Sequence, residues 1–135
     1  MRDGWPSEFV GLPYLLFGRT RAGVDCYGLI VLVYHDVLGI EIAPFAEVAE
    51  STLPLDVYRE FWETHRELAW ERVDEDHVEA GDVVDLSVLG HPHCGIVTRP
   101  GQMIHARAGV GVRLDEYSRG FFCRRVLGTY RHRER

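Results

Sequence analysis

The sequence predicts an α+β fold in which N-terminal helices pack on one side of a small antiparallel, barrel-like sheet. Two features of the chain support this prediction. Residues 27–38 form an apolar run that is too long and too continuous for a surface strand, as expected for a buried helix. After Gly81, short apolar segments follow one another with brief connections, which is typical of antiparallel strands joined by tight turns.

The first half of the chain is expected to be helical after a turn-prone lead. Residues 1–21 are rich in Gly and Pro and should wrap against the cleft. The apolar helix then ends near Gly39. A connector over residues 44–54 leads to residues 55–69, where apolar side chains recur at helical spacing.

The second half is expected to form five strands. With 135 residues, 46% of them hydrophobic, the chain is long enough for one core and too short for two ordinary domains, so residues 1–135 are predicted to be a single domain. The predicted strands cover residues 83–88, 94–98, 103–107, 111–114 and 121–130, the last with a break near Gly128.

Charge and cysteine content exclude several classes of function. A net charge of −6 argues against nucleic-acid binding, which needs concentrated positive charge. No run of roughly 18 apolar residues is present, so membrane insertion is not expected. The three cysteines form no C-x-x-C pair, so neither a zinc site nor another cofactor is predicted. Cys94 should face away from His93, and Cys123 is expected in a buried strand.

Cys26 stands at the start of the predicted buried helix, directly after Asp25, which is expected near the N-cap. A thiol in the first helical turn feels the positive end of the helix dipole and the unpaired backbone N–H groups, both of which favour thiolate. The same N–H groups can stabilise an oxyanion. Alternatively, Cys26 is a small buried hydrophobic residue, as free cysteines often are.

Two histidines downstream favour the nucleophile. His93 and His105 each alternate with apolar neighbours in a predicted strand, so each imidazole projects from one sheet face. A thiolate nucleophile needs a base within hydrogen-bond reach and a third polar group that orients the base. We therefore predict that Cys26 is the nucleophile, His93 the general base and His105 the orienting residue. A metal site formed by His91, His93 and His105 is the alternative.

These segments resemble the NlpC/P60 cysteine peptidases, which cleave bacterial cell-wall peptides. The resemblance extends over roughly residues 11–130 and implies a papain-like topology, with Tyr14 as a site residue near the nucleophile. His91, across Pro92 from His93, would flank the cleft mouth and assist substrate binding. The matching stretches are Gly11-Leu12-Pro13-Tyr14, Gly18-Arg19, Gly23-Val24-Asp25-Cys26-Tyr27-Gly28-Leu29, Ala80-Gly81-Asp82-Val83-Val84, His93-Cys94-Gly95-Ile96-Val97, Ile104-His105-Ala106 and Gly109-Val110.

One position departs from the family pattern. The family commonly has serine directly after the nucleophile, and in many members that serine and the preceding aspartate hold the free amino end of a stem peptide. Asp25 and Tyr27 are the corresponding substrate-binding positions here. Because a phenol cannot occupy the space of a hydroxymethyl group, a strict requirement for a free N-terminal L-alanine is not expected.

The resemblance also suggests where the protein acts. Gly18-Arg19 and the pattern from Tyr34 to Gly39-Ile40 look closest to the branch found in tails of long-tailed phages and gene transfer agents. The chain opens without a charged-then-apolar signal segment, so a carrier is expected to bring it to the wall. We expect a virion tail as the location and tail-tip or baseplate hub proteins as partners, contacted through residues 131–135 and exposed aromatics near Trp5.

Three functions remain open from the sequence. The first is a hydrolase that cleaves peptidoglycan stem peptides, with the bond between γ-D-glutamyl and a diamino acid as the expected site of cleavage. The second is a structural tail component with vestigial catalysis. The third is an amidase or acyltransferase of the same fold. The intact set of Cys26, His93 and His105 favours the first.

Overall fold

A computed structural model describes residues 1–42 and 69–135. The first of these ranges contains a two-stranded ribbon and the helix that follows it. Strands β1 (Arg19–Thr20) and β2 (Gly23–Val24) pair antiparallel, and helix α1 (Cys26–Val33) begins two residues after β2. The helix continues as a π-helical turn, Tyr34–Leu38, and ends at Gly39 in the left-handed conformation. The predicted end of the helix is therefore confirmed.

The second range forms a six-stranded sheet. Its spatial order is β3-β8-β4-β5-β6-β7, and neighbouring strands pair antiparallel. Short connections join β4 to β7 as a meander, as predicted. The strands are β3 (Trp70–Arg72), β4 (Val83–Val88), β5 (His91–Arg99), β6 (Gln102–Arg107), β7 (Gly111–Glu116) and β8 (Val126–His132).

The α+β class is confirmed, since α1 packs on strands β5 and β6 of this sheet. The connector predicted over residues 44–54 and the helix predicted over residues 55–69 lie outside the described residues, apart from Ala69. The pairs β1–β2 and β3–β8 were not predicted. Strands β1, β2 and β3 have only two or three residues each, too few for a periodic pattern to identify them.

Buried apolar residues occupy both faces of the sheet. Cys94 and Ile96 of β5 pack with α1 in one cluster, whereas Val97 of the same strand belongs to a second cluster. This alternation follows from the opposite directions of successive side chains in a strand. In α1, Leu29 and Ile30 are almost fully buried, and each contributes about 1.5–3 kcal/mol through burial.

The strand predicted over residues 121–130 is wrong in its first half. Gly120–Phe122 forms a 3-10 helix, and the strand begins only at Val126. The Arg125 N–H donates to the Phe122 carbonyl, which closes a turn and lets Phe122 enter the second cluster. Cys123 is consequently exposed and not buried in a strand.

Residues 131–135 and the aromatics near Trp5 were expected to be exposed and to contact partner proteins. Several of their side chains instead pack within the protein. Arg131 and Arg135 bind the fully buried carboxylate of Asp82, with N···O distances of 2.9 and 2.7 Å. His132, expected in an exposed tail, is buried against Trp70. Trp5 is only 4% exposed. These side chains are therefore part of the fold.

Candidate active site

Cys26 is the first residue of α1, and Asp25 is its N-cap. The Asp25 backbone is extended, and its Oδ1 accepts a hydrogen bond from the Gly28 N–H at 2.7 Å. This satisfies one of the N–H groups that a helix start leaves unpaired. Cys26 is 1% exposed and lies at the positive end of the helix. The predicted positions of Asp25 and Cys26 are confirmed.

The Asp25 carboxylate is fully buried and bound by further donors. Arg19 Nη1 lies 2.7 Å from Oδ1, and the Phe17 N–H donates to Oδ2 at 3.0 Å. Phe17 has a positive φ of 63°, a conformation that costs a non-glycine residue about 1–3 kcal/mol. Asp25, predicted as a substrate-binding residue, thus holds the helix start and the preceding loop in place.

Gly28 allows the loop to approach the helix closely. A Cβ at this position would lie 1.9 Å from the Gly18 carbonyl oxygen and 2.8 Å from Arg19 Nη1. Only glycine lets the Gly18-Arg19 segment reach the helix start. The motif residues around Cys26 therefore form one packed unit.

Two tyrosines stand near Cys26 in this unit. Tyr14 forms a β-bridge with Val24, two residues before Cys26, and packs against the cluster that contains Cys26. Tyr27 is half-buried, and the Arg19 guanidinium lies 5.5 Å from its ring centroid. Burial raises the pKa of Tyr27 well above its ordinary value, so the side chain remains a neutral phenol.

The structure brings His93 and His105 into direct contact. His93 Nε2 lies 2.7 Å from His105 Nδ1, and the ring centroids are 5.0 Å apart. Space for the two rings depends on Gly95, where a Cβ would lie 2.7 Å from Met103 Sδ and 3.3 Å from His105 Cβ. The prediction that adjacent strands hold these rings side by side is confirmed.

A carboxylate that the sequence analysis missed completes this group. Asp115 Oδ2 lies 2.7 Å from His105 Nε2, and the Phe122 ring meets the His105 ring edge-on at 5.0 Å. Asp115 lies on β7 and Phe122 in the 3-10 helix before β8. Their contacts with His105 depend on the pairing of β6 with β7 and on the course of the chain after β7. No local sequence pattern reveals either.

Burial determines the charge of the two histidines. It lowers the pKa of His93 to about 3, with smaller contributions from the neighbouring His105 and Arg107. Burial also lowers the pKa of His105, although Asp115 partly opposes this effect. Both imidazoles are consequently neutral at pH 7, the state in which His93 can accept a proton.

His93 lines a cavity of about 260 Å³ at the start of β5. His91 is exposed at its wall, together with Leu89 and Phe121, and its expected part in substrate binding stays a prediction. Within residues 1–42 and 69–135, no three His, Cys, Asp or Glu side chains are grouped closely enough to hold a metal ion. The alternative metal site of His91, His93 and His105 is therefore not formed.

Helix α1, which begins with Cys26, packs on the two strands that carry the histidines. These strands are β5 and β6, and Cys26 shares a buried cluster with Cys94, the neighbour of His93. Cys94 belongs to the helix-side cluster, whereas His93 bonds to His105, whose ring contacts Phe122 of the second cluster. The prediction that Cys94 and His93 face opposite sides is confirmed.

Comparison with known sequences identifies the family. The model of the NlpC/P60 family matches residues 11–131. The chain belongs to this family. Among curated proteins, the NlpC/P60 chain is 27% identical over 129 residues to the gamma-DL-glutamyl hydrolase of Bacillus subtilis, covering 93% of the chain and 27% of that protein. It is 25% identical over 118 residues to the probable endopeptidase NlpC homolog of Haemophilus influenzae, covering 87% and 54%.

Solved structures show the same fold. An NlpC/P60 family protein from Bacillus cereus matches with a TM-score of 0.65 and 23% identity, over 94% of this chain and 37% of that one. The NlpC/p60 domain of the peptidoglycan hydrolase SagA matches with a TM-score of 0.55 and 24% identity, over 84% of both chains. The chain thus spans about a quarter of the length of the Bacillus subtilis relative and about half of the Haemophilus influenzae relative. It spans most of the SagA domain.

Proposed function

We propose that this NlpC/P60 chain is a cysteine endopeptidase that cleaves peptidoglycan stem peptides at the bond between γ-D-glutamyl and a diamino acid. Two observations support it most: the contact between His93 Nε2 and His105 Nδ1, and the position of Cys26 as the first residue of a helix that packs on the two strands carrying these histidines. The names of the relatives, a gamma-DL-glutamyl hydrolase and a peptidoglycan hydrolase, support the same substrate class.

In the proposed reaction, His93 Nδ1 accepts the proton of the Cys26 thiol. This nitrogen is the one that the contact with His105 leaves for the nucleophile. The thiolate attacks the peptide carbonyl, and N–H groups at the helix start stabilise the oxyanion. His93 then donates the proton to the leaving amine. Water, deprotonated by His93, hydrolyses the acyl-enzyme and regenerates the thiol.

Tyr27 and Arg19 affect which substrate amino ends the proposed site would accept. The Asp25 carboxylate forms an ion pair with Arg19, and Tyr27 is the residue directly after Cys26 in the sequence. A buried carboxylate with a paired guanidinium offers little attraction to a substrate ammonium group. The proposed substrates therefore include stem peptides whose amino end is blocked by attachment to the glycan.

Digestion of purified peptidoglycan tests the proposal. We expect fragments that end in D-glutamyl on one side and begin with a diamino acid on the other, identified by mass spectrometry. Cys26→Ala is the matched control and should release none. Fragments cut elsewhere in the stem would redirect the proposal to an amidase or another peptidase. Absence of any product from the folded wild-type protein would favour a structural role with vestigial catalysis.

We further propose that a phage-like tail carries this enzyme to the cell wall. The resemblance of the Gly18-Arg19 segment and of residues 34–40 to the tail branch supports this proposal. Mass spectrometry of purified particles tests it: the protein should be retained at the distal tail with hub proteins. Its presence only as free protein in the producing cell would contradict tail delivery and leave the peptidase proposal intact.

A further inference from the structure

We propose that Asp115 is a positioning residue that fixes the proton arrangement of the His105–His93 pair. The inference rests on the proposed function only where it concerns turnover, since the proton arrangement can be measured without any substrate.

The sheet register places Asp115 on the same face as the histidines. His105 of β6 pairs with Arg113 of β7, and Asp115 is two residues further along β7, on the same side. Its Oδ2 reaches His105 Nε2 at 2.7 Å. The His105 side chain is fully buried, whereas that of Asp115 is 37% exposed. His105 is thus held between a carboxylate near solvent and the ring of His93.

Chemistry then dictates where each proton lies. A carboxylate only accepts hydrogen bonds, so His105 Nε2 must carry the proton of that bond. Because burial keeps His105 neutral, its Nδ1 has no proton and acts as an acceptor. The proton in the second bond therefore belongs to His93 Nε2. His93, also neutral, is left with an unprotonated Nδ1.

This arrangement is the one that a general base requires. If the two hydrogen bonds ran in the opposite direction, His105 Nδ1 would donate to His93 Nε2. His93 Nδ1 would then carry a proton and could not accept one from the Cys26 thiol. Both directions satisfy the His93–His105 bond equally well. Asp115 is the group that selects one direction, because a carboxylate cannot donate.

Asp115→Asn tests the inference with almost no change of shape. Its amide N–H groups can donate to His105 Nε2 and so allow the reversed arrangement. We expect kcat to fall by roughly 10²-fold with little change in KM, as for loss of a residue that orients the base. Long-range ¹⁵N–¹H NMR of the imidazoles should show protons moving from Nε2 to Nδ1. Glu116→Gln is the matched control, since Glu116 is the next residue of β7 and pairs with Arg119 at the surface. It should leave both readouts unchanged.

The wild-type protein provides a second test that needs no variant. NMR should find His93 and His105 both protonated at Nε2. A proton on Nδ1 of His105 in the wild-type protein would overturn the inference, and so would wild-type imidazole spectra in Asp115→Asn. Loss of the proposed peptidase activity from wild-type protein would instead concern the proposed function, because the imidazole spectra still report on Asp115.

Discussion

His93 and His105 share a 2.7 Å hydrogen bond between Nε2 and Nδ1, although the two side chains come from different strands. The bond uses the His93 nitrogen on the far side of the ring from Nδ1. It therefore orients the ring and leaves Nδ1 available to accept the proton of the Cys26 thiol in the proposed mechanism.

Substitution of the three predicted catalytic residues should have unequal effects. Because a nucleophile and its base act as a unit, Cys26→Ala and His93→Ala should each lower kcat by roughly 10³-fold or more. His105→Ala should retain more turnover, since orientation is weakened while the base remains. Rates of peptidoglycan digestion by folded variants provide the measurement. Wild-type activity in folded Cys26→Ala would contradict the assignment of the nucleophile.

The sequence predicted the local parts of this site better than its long-range parts. Cys26 at a helix start and the strand positions of His93 and His105 followed from periodicity and motif spacing, and the structure has them there. Asp115 could not be found in this way, because its contact depends on how β6 and β7 pair. The ion pair of Arg131 with the buried Asp82 is likewise a tertiary contact, which the charge pattern of the tail does not indicate.

Thiol reactivity should distinguish Cys26 from the other cysteines. Cys123 is exposed, so the experiment needs a Cys123→Ser background. At mildly acidic pH, iodoacetamide should then modify Cys26 before Cys94, because the helix start favours the thiolate and both thiols are otherwise buried. His93→Gln should slow the modification of Cys26. Peptide mapping by mass spectrometry gives the order, and earlier modification of Cys94 would count against an activated Cys26.

The ion pair between Arg19 and Asp25 should contribute strongly to stability. Arg19→Met leaves the fully buried Asp25 carboxylate without its guanidinium, a type of change that costs about 3–5 kcal/mol. Arg119→Met is the matched control, because Arg119 and Glu116 form an exposed pair that solvent screens, so its loss should change the free energy of unfolding little. Urea unfolding gives both free energies. Equal losses in the two variants would show that Asp25 does not depend on Arg19.

Acid should destabilise the protein through its buried histidines. Burial lowers the pKa of His93 to about 3 and lowers the pKa of His105 and His132 below the ordinary value. Between about pH 6.5 and pH 3, the unfolded chain binds protons that folded His93 does not, so stability rises with pH in this window and falls on acidification.

The slope of unfolding free energy against pH tests this expectation. Each histidine that is protonated only in the unfolded chain contributes at most about 1.4 kcal/mol per pH unit to the slope of the unfolding free energy against pH. His93→Gln should therefore give a shallower slope than wild type between pH 6 and pH 4, whatever its effect on stability at pH 7. Urea unfolding at several pH values measures the slopes. An unchanged slope in His93→Gln would mean that folded His93 takes up its proton as readily as the unfolded chain, and the neutral base of the proposed mechanism would then lose its physical support.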